Sequence, residues 1–423
     1  MGMAAGPRPG IRHCRLCRMV SEGRGMIRVG FPFMDGNSAW MGGINYLRNL
    51  MQAVLADPAR TVDPVLLVPV DMPAGGTAHF ADIGVQILRC PLLGARGLKA
   101  RAGVAMKRVL GRDPFMERWL KQHDIHLVSH LTTLGARSRV PSIAWIPDFQ
   151  HLRLPELFPA EMRAKRDAMF RRLSHQATCV IVSSNDAMQD LAGFLPDAVA
   201  RTHVLPFVAD VSDDDIATRA QLQEAHGFSE HYFFLPNQFW PHKNHALVIA
   251  ALAHLKAQGA AVPLVLATGN PRNNHDPDLF DRLTEQARAQ GVADRFRPLG
   301  LVSRRDLLGL LDHAVALINP SQFEGWSSTV EEAKTVGKQM LLSDIAVHLD
   351  QAPDARFFGT DDASGLANAM LDTLSAYDEP ADRARMAQAK IDFPNRRLAF
   401  ARQYQQIVAA TLSAHRTSTH GTN

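Results

Sequence analysis

Between Asn319 and Ser343 the chain reads NPSQFEGWSSTVEEAKTVGKQMLLS, with two carboxylates, Glu324 and Glu332, on either side of the hydroxyls of Ser327, Ser328 and Thr329. Serine and threonine are favoured helix N-caps and Gly337 is a favoured helix stop. The pattern therefore predicts a strand end over 316–318, a loop, a short helix and a second strand from Gln339. A helix N-terminus offers unpaired backbone N–H groups and the positive end of a dipole, which together hold a phosphate. Acids beside it grip sugar hydroxyls, so the stretch has the makings of a nucleotide-sugar site. Glu331, next to Glu332, leaves the carboxylate register open at that point.

A second segment, FFLPNQFWPHKNHALVIAAL over 233–252, reads as a strand, a turn through Pro236 and Pro241, and a helix from about Asn244. Lys243 at the mouth of that helix adds a full positive charge to the dipole, which suits a diphosphate. His242 and His245 read as local polar contacts. In WMGGINYLRNL, over 40–50, Gly42 and Gly43 close a loop before a helix expected over 44–56. Paired glycines there permit positive φ and close approach of backbone to a ligand, and they equally suit a tight turn.

These residues need a scaffold, and the chain alternates short apolar runs with helical stretches in two successive halves, the mark of α/β layering. In the first half strands are expected at 26–33, 64–69, 85–88, 127–129, 142–146 and 179–183, with helices near 98–110, 115–122, 160–174 and 186–194. After an acidic hinge at 210–215 and a short helix at 219–226, strands are expected at 232–235, 264–268 and 296–299. Helices there fall at 244–258, 278–290 and 304–313, and a late apolar segment at 398–415 has helical spacing. Two doubly wound sheets of this kind bind ligands outside the carboxyl ends of their strands.

A chain of 423 residues accommodates two such domains, and 46% hydrophobic with 21% charged residues is a globular composition. The net charge of +4 carries no nucleic-acid signal, and four cysteines are too few for a disulfide framework. Cys14 and Cys17 form a CxxC with no second pair at zinc spacing and read as incidental. No apolar run approaches the roughly 20 residues that span a bilayer. Residues 1–25, rich in Gly and Arg, read as a flexible leader without the apolar core of a secretory signal, and 413–423 read as a frayed tail.

The stretch EGWSSTVEEA, over 324–333, resembles the acid-x7-acid signature, typically EGFGLPVLEA, of retaining glycosyltransferases of family four. These have the GT-B architecture: two Rossmann-like doubly wound domains facing across a cleft, with a C-terminal helix crossing back to the first domain. The resemblance spans about 26–406 and divides the chain into an acceptor domain at 26–208, a hinge at 209–227, a donor domain at 228–395 and a crossing helix with tail at 396–423. It implies that Glu332 binds the donor ribose, that Glu324 lies against the donor sugar, and that Lys243 meets the donor phosphates. Ser327, Ser328 and Thr329 stand where the family has Gly-Leu-Pro, and Gln238 stands where it usually has a phosphate-binding arginine; a branch of the family reads PNQFWxHKN. Gln cannot supply a bidentate cationic clamp. Gly42 and Gly43 match the loop near donor phosphates and acceptor.

The family often carries a His-Asp pair after the strand at 142–146; here Pro147 replaces the His, Asp148 keeps the Asp, and His151 follows. Either Asp148 or His151 could orient the acceptor hydroxyl, and His suits proton traffic near neutral pH. The plainer alternative has Asp148 capping a turn and His151 packing on 152–154. His130 reads as structural; His348 and Asp350 stand in a segment that closes the donor pocket in this branch. No DxD or other metal-ligand cluster is evident, so no metal and no cofactor is expected.

The resemblance thus implies transfer from a nucleotide-diphosphate sugar to a saccharide or lipid-linked acceptor, in the cytoplasm, in bacterial surface-polysaccharide synthesis. The basic segment 95–112, with Arg96, Lys99, Arg101, Lys107, Arg108 and Arg112, could contact the inner face of the membrane. A solvated basic face is the alternative. Other functional readings are a sugar-nucleotide epimerase on the same fold and a non-catalytic nucleotide-sugar scaffold.

Overall fold

The computed structural model describes residues 25–34, 41–94, 98–130, 134–211, 216–272 and 276–420. The leader 1–24 with Cys14 and Cys17, Arg96, and hinge residues 212–215 lie outside the described residues, as do the side chains of Lys99 and Arg101.

Two parallel sheets organise the chain. The first comprises β1 (Ile27–Pro32), β2 (Val62–Pro69), β3 (Gln86–Cys90), β4 (Leu127–Ser129), β5 (Ser142–Ile146), β6 (Cys179–Val182) and β7 (Thr202–Val204), in the order β3-β2-β1-β4-β5-β6-β7. The second comprises β8 (Tyr232–Leu235), β9 (Leu264–Thr268), β10 (Phe296–Gly300), β11 (Leu317–Asn319), β12 (Met340–Ser343) and β13 (Arg356–Phe358), in the order β10-β9-β8-β11-β12-β13. Strands such as SIAWI, CVIV and YFFL are buried at every position, which is why they read as unbroken apolar runs rather than alternating ones.

In each sheet the chain winds outward, returns, and winds the other way, so the order reverses between β1 and β4 and again between β8 and β11. Those reversals open crevices at the carboxyl ends of the strands. β7, β13 and the helix Ala363–Ser375 were not anticipated; the two strands are short and only partly buried, so they show no unbroken apolar run.

The terminal helix is continuous over Glu379–His420 with Pro394 inside it, far longer than the segment expected from apolar spacing, and 413–420 are helical rather than frayed. Proline removes one backbone donor and normally reads as a breaker, which hid the helix's first half. Asp382 of this helix forms a buried ion pair with Lys338, 2.6 Å apart, and Met386 joins the second domain's core. Past Pro394, Phe400, Ala401, Tyr404, Ile407, Val408 and Leu412 enter the core of the first domain. Gln405 there accepts from the Thr61 N–H at 2.7 Å and donates to Asp57 at 2.9 Å. One helix therefore crosses from the second domain to the first.

Candidate functional site

The site grows from the ends of β8 and β11, adjacent strands at the second reversal. Asn319 closes β11 and Asn237 lies two residues beyond β8; both are buried. The Ser321 backbone N–H (3.3 Å), the Ser321 hydroxyl (2.6 Å) and Asn237 Nδ2 (2.9 Å) all donate to Asn319 Oδ1. A backbone donor is unambiguous, so Asn319 Nδ2 faces the other way. It reaches Ser327 Oγ at 3.0 Å, Thr329 Oγ1 at 3.3 Å and Glu324 Oε1 at 3.5 Å.

The helix that follows spans Ser328–Val336 and ends on Gly337 at φ 81, as the residue types predict. Ser327 stands at the N-cap, yet its side chain makes no capping bond because it is turned to Asn319. Gln351 holds the cap residue instead, accepting from the Ser327 N–H at 3.1 Å and donating to its carbonyl at 2.8 Å.

Glu324 is largely buried against Lys243, with Nζ to Oε1 at 2.6 Å. Burial pushes the Glu324 carboxyl up, but the Lys243 ammonium outweighs it and holds the group down at about 2. Lys243 ends the 3-10 turn Pro241–Lys243, and Asn244, at φ 55, starts the helix His245–Ala257. The cation expected to meet phosphate is thus held by a carboxylate from the neighbouring loop.

The two neighbouring glutamates have different partners. Glu331 is inside, bonded to Lys334 (3.1 Å), Gln351 (3.1 Å) and Arg396 of the terminal helix. Among the described residues Glu332 meets only Arg304, a half-exposed residue, at 2.6 Å. Gln238, at the arginine position, is exposed, and its Oε1 accepts from the Asn270 N–H at 2.7 Å, clasping the loop after β9.

The first domain contributes less than its sequence promises. Gly42 and Gly43 lie in the first turn of the helix Met41–Ala56 rather than in a loop, with open space beside Gly42. Tyr46, on the same helix, stacks on Trp145 (4.2 Å) and meets Phe207 edge-on (5.3 Å). The Trp326 indole N–H donates to the Phe207 carbonyl at 3.0 Å, docking the signature loop on the first domain. Gly325 is closer still: a Cβ there would lie 2.4 Å from the Pro147 carbonyl oxygen and 2.9 Å from Asp148 Cβ.

Asp148 is therefore beside the signature loop, but its carboxylate caps the Gln150 N–H (3.0 Å) and pairs with Arg166 (2.8 Å). His151 goes elsewhere. Its ring is buried edge-on to Phe170 and Phe194, with Nε2 2.9 Å from Asp167, and burial lowers its pKa. That corrects the expectation of a residue presented to the acceptor: the aromatic surroundings draw the ring into the first domain. His130 is structural as read, hydrogen-bonded to Tyr46 (2.8 Å) and Ser129 (2.7 Å), and burial pushes it down to about 3.

His242 and His245 are local contacts, each pushed down to about 3 by burial. His348 is buried with Nδ1 3.0 Å from the Ser343 carbonyl, and exposed Asp350 accepts from Asn185 of the first domain at 2.9 Å. Asn237, Asn319, Arg304, Trp326 and Gln351 were not foreseen. The two asparagines did leave a trace, as polar residues just after or closing the apolar runs FFLP and ALI. Among the described residues no group of His, Cys, Asp or Glu is arranged to hold a metal, and no helix is long and apolar enough to cross a membrane.

Comparison with known proteins bears on this geometry. Residues 219–391 match the family model described as glycosyl transferases group 1. A stretch of 182 residues, 42% of this chain, is 29% identical to EpsF of Bacillus subtilis (strain 168), itself a proposed glycosyltransferase. It covers 45% of EpsF, so the chain spans less than half the length of that relative. Over 92% of this chain and 99% of the other, the fold matches a glycosyltransferase from Rickettsia africae, with TM-score 0.64 at 12% identity. Over 91% and 100% it matches Anabaena HepE, solved with UDP and glucose, with TM-score 0.62 at 15% identity. At such identities the likeness is one of fold. The two parallel-sheet α/β domains thus have the GT-B fold of these glycosyltransferases, and residues 219–391 are similar to glycosyl transferases group 1.

Proposed function

We propose that the chain is a retaining glycosyltransferase that moves a sugar from a nucleotide-diphosphate donor to a hydroxyl of a saccharide or lipid-linked acceptor, in bacterial surface-polysaccharide synthesis. The observation that carries this is the largely buried Lys243–Glu324 pair at the head of the signature helix, within a domain matching glycosyl transferases group 1. A donor diphosphate would draw Lys243 from Glu324, and the freed carboxylate would then accept from sugar hydroxyls. Lys243 and the amides at Ser328 would stabilise charge on the departing diphosphate, and Glu332 would hold the ribose. Gly42 and Gly43 would lie near the donor phosphates and the acceptor, with Asp148 on the acceptor side. Retention would follow from same-face attack without a covalent enzyme nucleophile, and turnover is proposed to be metal-independent, which EDTA treatment checks.

Calorimetric titration of UDP, GDP and ADP into wild type and Glu332→Ala tests the donor site. Micromolar binding of one base, weakened by the substitution, supports it; a folded protein that binds none of the three overturns it.

A second reading, a non-catalytic nucleotide-sugar binder, draws on Gln238 being clasped to Asn270 and Asp148 being committed to Arg166. Release of nucleoside diphosphate only when acceptor is added separates the two. Contact with the inner face of the membrane is proposed for the helix Leu98–Leu110, where Val104, Val109 and Leu110 are exposed beside Arg108. Co-sedimentation with anionic but not zwitterionic vesicles tests it.

A further inference from the structure

Ser327 and Thr329 present hydroxyls where the resembled loop has Gly and Pro, and their hydrogen-bond partners constrain which way those hydroxyls face. Asn319 Nδ2 donates to both oxygens, so each already accepts a hydrogen bond and has its own hydrogen to give. The two oxygens are 3.1 Å apart, so one hydroxyl donates to the other. Ser327 is buried, and Thr329, the second residue of the helix, is partly exposed. With Ser327 as the donor of that pair, the chain Asn319→Ser327→Thr329 ends on a Thr329 hydrogen. It is within reach of Asn237 Oδ1 at 3.5 Å, at the long limit of a hydrogen bond.

We propose that Asn319 is a positioning residue for the donor diphosphate: it orients the Ser327 and Thr329 hydroxyls so that Thr329 donates to a phosphate oxygen. This rests on the donor-site reading given above. The phosphate concerned is the distal one, which carries the sugar, because Asn319 also touches Glu324 on the sugar side, while Glu332 lies a turn further along the helix. An oriented hydroxyl compensates in part for Gln238, whose side chain is spent on Asn270 and brings no cation. Asn237 is the second support, since its Nδ2 on Asn319 Oδ1 keeps the amide from turning over.

The test compares UDP, GDP and ADP with UMP, GMP and AMP by calorimetry, on wild type, Asn319→Leu, Thr329→Val and Thr329→Ser. For the base that binds, Thr329→Val and Asn319→Leu weaken the diphosphate about tenfold, the scale of one hydrogen bond to a charged group, and leave the monophosphate within about twofold. Thr329→Ser, which keeps the hydroxyl, recovers most of what Thr329→Val loses. Equal losses on mono- and diphosphate, or none in Thr329→Val, overturn the proposal while the donor site stands. Thr329→Val is nearly isosteric and decides the matter even where Asn319→Leu fails to fold. Wild type that binds no diphosphate overturns the donor-site reading itself, and this proposal with it.

Discussion

Lys243 and Glu324 are 81 residues apart in sequence and 2.6 Å apart in space, and neither side chain is more than 14% exposed. A buried charge robbed of its partner is costly, so Lys243→Met should destabilise the protein by about 3 kcal/mol at pH 7. Glu324 has its folded pKa depressed from 4.5 to about 2. Its contribution is therefore fully present above the ordinary value and is lost as pH falls towards about 2. Urea denaturation at pH 7 and pH 3 should show the gap between wild type and variant narrowing at the lower pH. A gap that stays constant would sink the pairing.

Glu331 and Glu332 should separate stability from ligand binding. Glu331→Gln breaks a buried network with Lys334, Gln351 and Arg396 and should cost about 3 kcal/mol. Glu332→Gln loses only a pair with half-exposed Arg304, worth about 1 kcal/mol or less, but should weaken nucleoside diphosphate about tenfold. Thermal melts and calorimetry on both variants read the two effects; a reversed pattern would move the ribose contact to Glu331.

Gly325→Ala puts a methyl 2.4 Å from the Pro147 carbonyl oxygen, which backbone cannot accommodate without parting the loop from the first domain. Nucleoside diphosphate binding should persist, since Lys243 and Glu332 are untouched. Transfer to acceptor should fall by at least about tenfold, the scale of a misplaced reacting group. Undiminished turnover would mean that this contact is dispensable.

His130 is neutral in the fold, with its pKa at about 3 rather than 6.5. As pH falls below 6.5 the unfolded chain takes the proton first, so stability drops between those values by about 1.4 kcal/mol per pH unit and is unaffected above. His130→Asn, which tolerates the φ of 64 there, should flatten the decline by that amount. Melting curves from pH 7.5 to 4.5 give the slope.

The fold was largely legible because buried parallel strands are written as unbroken apolar runs, so β4, β5, β8 and β9 could be bounded to within two residues. Lys243 and Glu324 could be named from their local setting. Their contact depends on β8 and β11 being neighbours, which only the winding order supplies. His151 misled because a histidine after a strand looks the same whether it faces a crevice or, as here, Phe170. Gly42 and Gly43 misled because a glycine pair fits a loop and a helix's first turn alike. Pro394 hid half a helix, since nothing local says that tertiary contacts such as Lys338–Asp382 will hold the segment on either side of it.

That same helix has a bearing on biosynthesis. Phe400, Tyr404, Ile407 and Val408 fill the centre of a domain whose strands begin at Ile27. Nascent chain emerges from the ribosome at about 5–20 residues per second, so the opening sheet waits on the order of twenty seconds or more for its last wall. The second domain, whose strands lie between Tyr232 and Phe358, has most of its core to hand before that point. Maturation of this chain therefore runs against the direction of its synthesis, and the earliest-made half is the one exposed longest to chaperones and proteases.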